Sequence, residues 1–162
     1  MNLPTILLKL TFCLAILLCA NSQEASASHI TSGDLYWECV TTGPDAGKYI
    51  MYMTAYRDCS IPGQTITAPQ LTVQNCPTLG SLGLNFVSTT DVTPTSCGFS
   101  CLDGIEDISV EQFLFASDPF DLPGPPPAQG YVFYYEACCR NDVQNIVNSS
   151  SDNFRFSVTM YP

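Results

Sequence analysis

The sequence predicts an all-β domain, an antiparallel immunoglobulin-like β-sandwich of about seven strands that is stabilised by disulfides. Short segments rich in aromatic and β-branched residues alternate between apolar and polar positions, and clusters of turn-forming residues separate them. No long helical pattern and no internal repeat interrupts these segments. Because Trp37 precedes every cysteine that follows the N-terminal leader, the Cys-Trp-Cys order of true immunoglobulin domains is absent. The prediction is therefore an immunoglobulin-like sandwich rather than an immunoglobulin domain.

Seven segments carry the strand pattern. In chain order they are residues 35–40, 48–58, 65–74, 82–88, 108–116, a segment that begins at Tyr131, and 154–161. Pro69 cannot donate a backbone hydrogen bond, so it predicts an edge or a bulge within the third segment. The prolines and glycines of 119–130 exclude regular structure there. Turn signals between the segments favour antiparallel pairing.

The N-terminus reads as a secretory signal peptide, residues 1–27. Lys9 precedes an apolar run at 10–18, and Ala25-Ser26-Ala27 forms an A-x-A cleavage site. A membrane anchor is the alternative, but the run is shorter than the ~20 apolar residues that span a bilayer. A lipoprotein site at Cys19 is disfavoured because the preceding Leu18 is bulky. We therefore expect cleavage after Ala27 and a secreted or cell-surface domain, residues 28–162.

The charge balance excludes several partners. The chain has 15 acidic and 5 basic residues and a formal net charge of −10. Nucleic-acid binding is excluded because phosphate contacts need Lys and Arg. An anionic membrane surface is disfavoured for the same reason. The acidity is consistent either with solubility alone or with cation binding.

Seven cysteines remain after the leader, which in an exported domain predicts disulfides. They are Cys39, Cys59, Cys76, Cys97, Cys101, Cys138 and Cys139. Because seven is odd, at least one is free or pairs outside this chain. Cys97 and Cys101 could also form a redox motif, but a three-residue spacer and the missing βαβ context favour structural half-cystines.

The adjacent cysteines Cys138 and Cys139 are not expected to bond to each other. Neighbouring Cα atoms lie ~3.8 Å apart, below the usual disulfide range that starts at ~4.4 Å. They should therefore join the strand that begins at Tyr131 to two different parts of the chain. Cys59 is the expected partner of one of them, with Cys39 as the alternative. Cys76 is expected to pair with Cys97 or Cys101.

Two weak binding sites are present in the sequence. Tyr52 and Tyr134 represent a larger set of strand tyrosines that could stack on a sugar, although half-buried strands favour these residues anyway. The acidic residues Asp103, Glu106 and Asp107, with Glu111 nearby, could hold Ca²⁺. Their spacing does not match an EF-hand loop, so solvated charge is the simpler interpretation. Ca²⁺ is the only cofactor for which the sequence offers candidate ligands.

No catalytic residue is predicted. His29 is the only histidine, and it has no evident nucleophile or orienting partner in the sequence. One histidine is also too few nitrogen ligands for a typical zinc site. The carboxylates form no recognisable acid–base pair. A hydrolase is therefore the least favoured function class.

Three ordered motifs resemble a family of Bacteroidota surface proteins. Residues 28–36, SHITSGDLY, look like its "A-[ST]-H-I-x-G-G-E-[IL]-x-Y" start, and 49–59, YIMYMTAYRDC, is similar to its "Y-x-[IV]-x-[LV]-x-x-Y-R-D-C" strand. Residues 138–141, CCRN, with Ile146, resemble its "C-C-R-N-x-x-I-x-N" element. Ser32-Gly33-Asp34 stands where the family has Gly-Gly-Glu. The chain shows no PKD-type repeat and no sorting domain.

The resemblance implies the N-terminal module of a larger exported protein. Members often carry PKD-type repeats and a C-terminal gliding-motility-associated or type IX sorting domain. Their motifs contain no catalytic residue to carry over. We therefore expect a non-enzymatic structural or adhesive module whose partners are cell-surface proteins, glycans or downstream domains of its own protein. A small secreted carbohydrate-binding domain is the alternative.

Overall fold

The computed structural model describes residues 30–59, 66–98, 100–101, 109–138 and 153–162 of the chain. The predicted signal peptide, His29 and Cys139 lie outside these ranges, as do Asp103, Glu106 and Asp107. The elements in chain order are β1 (Ile30–Cys39), β2 (Tyr49–Asp58), β3 (Gln70–Gln74), β4 (Ser81–Gly83), β5 (Asn85–Asp91), a one-turn 3-10 helix (Thr95–Cys97), β6 (Val110–Ala116), β7 (Tyr131–Ala137) and β8 (Phe154–Met160). Nothing helical in the described part of the chain is long and apolar enough to cross a membrane.

The strands form two antiparallel sheets of four. The front sheet has the order β1-β2-β6-β5, and the back sheet has the order β4-β3-β7-β8. Lettered in chain order, β1, β2 and β3 are strands A, B and C, and β5 to β8 are strands D to G, with β4 as an additional strand beside C. The front sheet is then A-B-E-D and the back sheet contains C-F-G, as in a constant-type immunoglobulin sandwich. The predicted fold class is confirmed.

The strand count differs from the prediction because the fourth segment divides between the sheets. Its first part, β4, pairs with β3 in the back sheet, and its second part, β5, pairs with β6 in the front sheet. Leu84 lies between them, 2% exposed, and its N–H donates to the carbonyl of Pro69 at 2.9 Å. The chain thus changes sheets at one buried leucine. Pro69 itself immediately precedes β3, where its missing N–H removes no ladder bond.

The core is built from the inward-facing residues of both sheets. Successive side chains of β2 alternate between buried and half-buried positions, as the two-residue period of a strand requires. The buried cluster comprises Leu35, Met51, Met53, Ala55, Leu71, Val73, Cys76, Leu84, Phe113, Phe115, Tyr131, Phe133 and Met160. Each fully buried large apolar side chain stabilises the fold by roughly 1.5–3 kcal/mol relative to exposure.

The two sheets approach closely where β1 faces β8, and a glycine permits this contact. A Cβ atom added to Gly33 would lie 2.4 Å from the ring of Phe156 and 2.6 Å from the backbone oxygen of Thr54. We therefore expect Gly33→Ala to lower the free energy of unfolding by about 1–3 kcal/mol through overpacking. Gly83→Ala in β4 is the matched control, because its Cβ would meet no atom within 4 Å. Urea denaturation of both variants checks this, and equal losses would contradict the steric explanation.

A disulfide joins Cys59 to Cys101. The expected bond between Cys59 and Cys138 or Cys139 is therefore wrong. Cys59 follows β2, whose neighbours are β1 and β6 of the front sheet, whereas β7 belongs to the back sheet. The N–H of Cys59 also donates to the carbonyl of Ser109, just before β6, at 3.0 Å. The strand that carries Cys59 thus lies across the sandwich from the one that leads to Cys138.

The pairing expected for Cys76 is also wrong. Cys76 is a free thiol, 8% exposed, and it packs in the core just after β3. Cys39 at the end of β1 is free and exposed. Cys138 is disulfide-bonded, and its partner is not among the described cysteine side chains. Separate partners for Cys138 and Cys139 therefore stay a prediction.

Candidate functional site

The two tyrosines predicted to bind a ligand lie on opposite sides of the sandwich. Tyr52 alternates with the buried Met51 and Met53 of β2, so it lies on the outer face of the front sheet. Tyr134 is next to the fully buried Phe133 of β7 and lies on the outer face of the back sheet. Because two sheets and the core separate them, these side chains cannot line one platform.

The outer face of the front sheet carries two pairs of polar and aromatic side chains. Tyr36 of β1 pairs directly with Tyr52 of β2, and their rings stack with centroids 5.0 Å apart and planes inclined by 13°. Farther along β2, the hydroxyl oxygen of Tyr56 accepts a hydrogen bond from the side-chain amide of Gln112 at 3.0 Å. We call these four residues, Tyr36, Tyr52, Tyr56 and Gln112, the tyrosine face.

The tyrosine face is acidic at the β1 edge. Asp34 and Glu38 alternate with the buried Leu35 and so share the outer face with Tyr36. Burial raises the pKa of Tyr36, and the nearby charges of Glu38, Tyr52 and Asp34 raise it further. The phenol is protonated at neutral pH, since even the ordinary pKa of tyrosine is about 10 and the shift is upward. The hydroxyl can therefore donate a hydrogen bond beside two carboxylates, an arrangement complementary to a basic partner.

Tyr134 is already covered by a residue of its own chain. The guanidinium carbon of Arg155, on the neighbouring strand β8, lies 3.6 Å from the centroid of the Tyr134 ring. This is a close cation–π contact, which occupies one face of the ring. Tyr52 likewise has one ring face stacked on Tyr36, but its partner is another aromatic ring, so the pair presents a larger aromatic surface than Tyr134 does.

Tyr36 and Gln112 are the two residues of the tyrosine face that the sequence prediction missed. Because Tyr36 is next to Leu35 along β1, the alternating pattern of the sequence shows that their side chains lie on opposite faces of the strand. The register that places Tyr36 directly opposite Tyr52 depends on the turn between β1 and β2. That turn contains Gly43 and Gly47, both with positive φ, and the N–H of Gly47 donates to the carbonyl of Val40 at 2.8 Å.

A cleft of about 550 Å³ opens where the chain passes from β4 to β5. We call it the crossover cleft. Its floor and walls combine apolar side chains with amides and one carboxylate. The lining residues are Ala68, Gln70, Leu82, Gly83, Leu84, Asn85, Asp118, Pro119 and Phe120.

The calcium candidates Asp103, Glu106 and Asp107 lie outside the described residues, so that prediction is untested. Glu111, the fourth acidic residue of that group, faces the interior and forms an ion pair with Arg57. Within the described ranges, no group of three or more His, Cys, Asp and Glu side chains is placed to hold a metal ion.

None of the protein-family models, curated proteins or solved structures compared with this chain matches it. The resemblance to the Bacteroidota surface proteins therefore stays a prediction.

Proposed function

We propose that this chain is a non-catalytic adhesive module of an exported cell-surface protein and that the tyrosine face makes the adhesive contact. The observation that carries the proposal is the stacked pair Tyr36–Tyr52, which lies on an outer sheet face with Tyr36 38% exposed. Tyrosine is enriched in protein interfaces because it offers a large apolar ring and a hydrogen-bonding hydroxyl. Energetically dominant interface residues are also often Tyr, Trp or Arg.

The expected partner is a basic patch on another surface protein. Asp34 and Glu38 flank Tyr36, and the whole chain carries a net charge of −10. Complementary charge accelerates association and selects among partners, and salt screens it. Binding through the tyrosine face should therefore weaken as ionic strength rises.

Export of the module is supported by independent features. The leader of residues 1–27 has the pattern of a signal peptide. The bond between Cys59 and Cys101 is of a kind that forms and persists in oxidising compartments outside the cytosol. The resemblance to surface proteins points the same way.

The test is adhesion of beads coated with the mature chain to cells of the source organism. We expect Tyr36→Ala and Tyr52→Ala each to reduce the number of bound beads by about tenfold, as removal of a dominant interface residue does. Tyr134→Ala is the matched control, because it makes the same change on the opposite outer face. Thermal unfolding of each variant verifies that the fold is retained. Equal adhesion of all three variants would refute the role of the tyrosine face.

Carbohydrate binding is the second candidate function. The observation that favours it is the mixture of amide, carboxylate and apolar side chains in the crossover cleft.

A further inference from the structure

We infer that the crossover cleft binds one or two sugar units of a surface glycan, with Asn85 and Asp118 accepting hydrogen bonds from two neighbouring sugar hydroxyls. This inference rests on the second candidate function, carbohydrate binding, and names the groups of the cleft that would bind the sugar. The site differs from the tyrosine face in its residues and in the chemistry that it offers.

The shape of the cleft follows from the change of sheet. β4 ends at Gly83 as an edge of the back sheet, and β5 begins at Asn85 as an edge of the front sheet. The opposite wall is the segment 118–120 that follows β6. A volume of about 550 Å³ lies within the roughly 300–1,000 Å³ typical of small-molecule sites. The cleft is therefore large enough for a monosaccharide or a disaccharide.

The polar side chains of the cleft are arranged as hydrogen-bond acceptors. The amide nitrogen of Asn85 donates to Oδ1 of Asp118 at 3.2 Å. This bond uses one donor of Asn85 and orients the amide, so Oδ1 of Asn85 and Oδ2 of Asp118 remain as acceptors on adjoining groups. Two neighbouring hydroxyls of a sugar can each donate a hydrogen bond to one of these acceptors. The carboxylate makes its hydrogen bond to a hydroxyl a strong, charge-assisted one.

Apolar side chains complete the site. Leu82 and Phe120 are half-buried in the cleft and can pack against the C–H face of a sugar ring. Gly83 leaves space beside them, because a Cβ added there would meet no atom within 4 Å. The site thus combines a small number of oriented polar groups with an apolar wall, as sugar and other small-molecule sites do.

A basic peptide is the alternative occupant, since Asp118 could pair with a guanidinium group. Two observations favour a neutral sugar. Two of the three polar lining side chains, Gln70 and Asn85, are uncharged amides. The cleft is also much larger than one guanidinium group, and its apolar wall would be left without a partner.

The test is NMR titration of the ¹⁵N-labelled mature chain with glucose, galactose, mannose, N-acetylglucosamine and lactose, and separately with arginine. We expect at least one saccharide to shift the amide signals of Gly83, Asn85 and Asp118 along a saturable curve. Asp118→Ala and Asn85→Ala should each weaken that binding by about tenfold, because a hydroxyl then lacks its acceptor. Asp121→Ala, an exposed carboxylate of the same loop that does not line the cleft, should leave it unchanged.

Gly83→Val is a second kind of variant, because it narrows the cleft but retains Asn85 and Asp118. It should abolish the shifts of the amide signals that the saccharide causes. The Tyr36→Ala variant should bind the sugar as the wild type does, because Tyr36 does not line the cleft. A failure of sugar binding can therefore be distinguished from a failure of adhesion through the tyrosine face. The inference is overturned if no saccharide shifts the cleft signals, or if binding survives Asp118→Ala. It is also overturned if only arginine binds and salt removes that binding, because the site would then recognise a basic peptide.

Discussion

Replacing Cys59 and Cys101 together by serine is expected to lower the free energy of unfolding by about 4 kcal/mol. The bond closes a loop with a sequence separation of 42 residues. In the chain-entropy account, a cross-link of this span removes many conformations from the unfolded chain, and the variant regains them. The bond also ties the end of β2 to the segment that follows the 3-10 helix, at one end of the front sheet.

Other contacts of this segment survive the substitution and should keep the variant folded. The two carboxylate oxygens of Asp91 accept hydrogen bonds from the N–H groups of Thr93 and Cys101, both at 2.9 Å. Hydrogen bonds from the Thr93 side chain and backbone, and then from the Cys101 backbone, hold the pKa of Asp91 below its usual range. Because this pKa is lowered, the ionised Asp91 carboxylate stabilises the fold at any pH above its unfolded-state pKa. That stabilisation is lost as the pH falls through the folded-state pKa.

Guanidinium-induced unfolding at neutral pH under non-reducing conditions measures the effect. Cys39→Ser is the matched control, because Cys39 is free and exposed, and it should leave the midpoint unchanged. A double variant as stable as the wild type would show that the bond does not constrain the unfolded chain as proposed.

The sheets could be predicted from sequence because their signal is local. The alternation of residues identified the strand segments, and turn-forming residues such as those at 43–47 identified the boundaries between them. The division of the fourth segment could not be predicted in the same way. Leu82, Leu84 and Phe86 continue the alternation without a break, so the pattern favours one strand. The change of sheet depends instead on the burial of Leu84 between the two sheets, a tertiary effect.

Disulfide pairing and the binding sites depend on which strands become neighbours. The pattern of β2 does not reveal that it pairs with β6 rather than packing beside β7. That choice determined the partner of Cys59. The same limit explains why Tyr52 was identified without Tyr36, and why Asn85 and Asp118, 33 residues apart, were not recognised as a pair.

The second large effect is expected from the interior ion pair of Arg57 and Glu111. These residues are directly opposite each other on β2 and β6, and both side chains are 12% exposed. The Arg57 guanidinium also lies 5.5 Å from the centroid of the Phe113 ring. Arg57→Met should lower the free energy of unfolding by about 3–5 kcal/mol, because it leaves a nearly buried carboxylate without the cation that it contacts.

The double variant Arg57→Met, Glu111→Leu separates the charge effect from the packing effect. Removing both charges also removes the uncompensated carboxylate, so most of the lost stability should return. Lys48→Met is the surface control, since its pair with Asp45 is far more exposed and should contribute nothing measurable. Denaturant unfolding of the three variants provides the comparison. If the double variant is as unstable as Arg57→Met, the loss comes from the packing of the Arg57 side chain on Phe113 and its neighbours rather than from the unpaired charge.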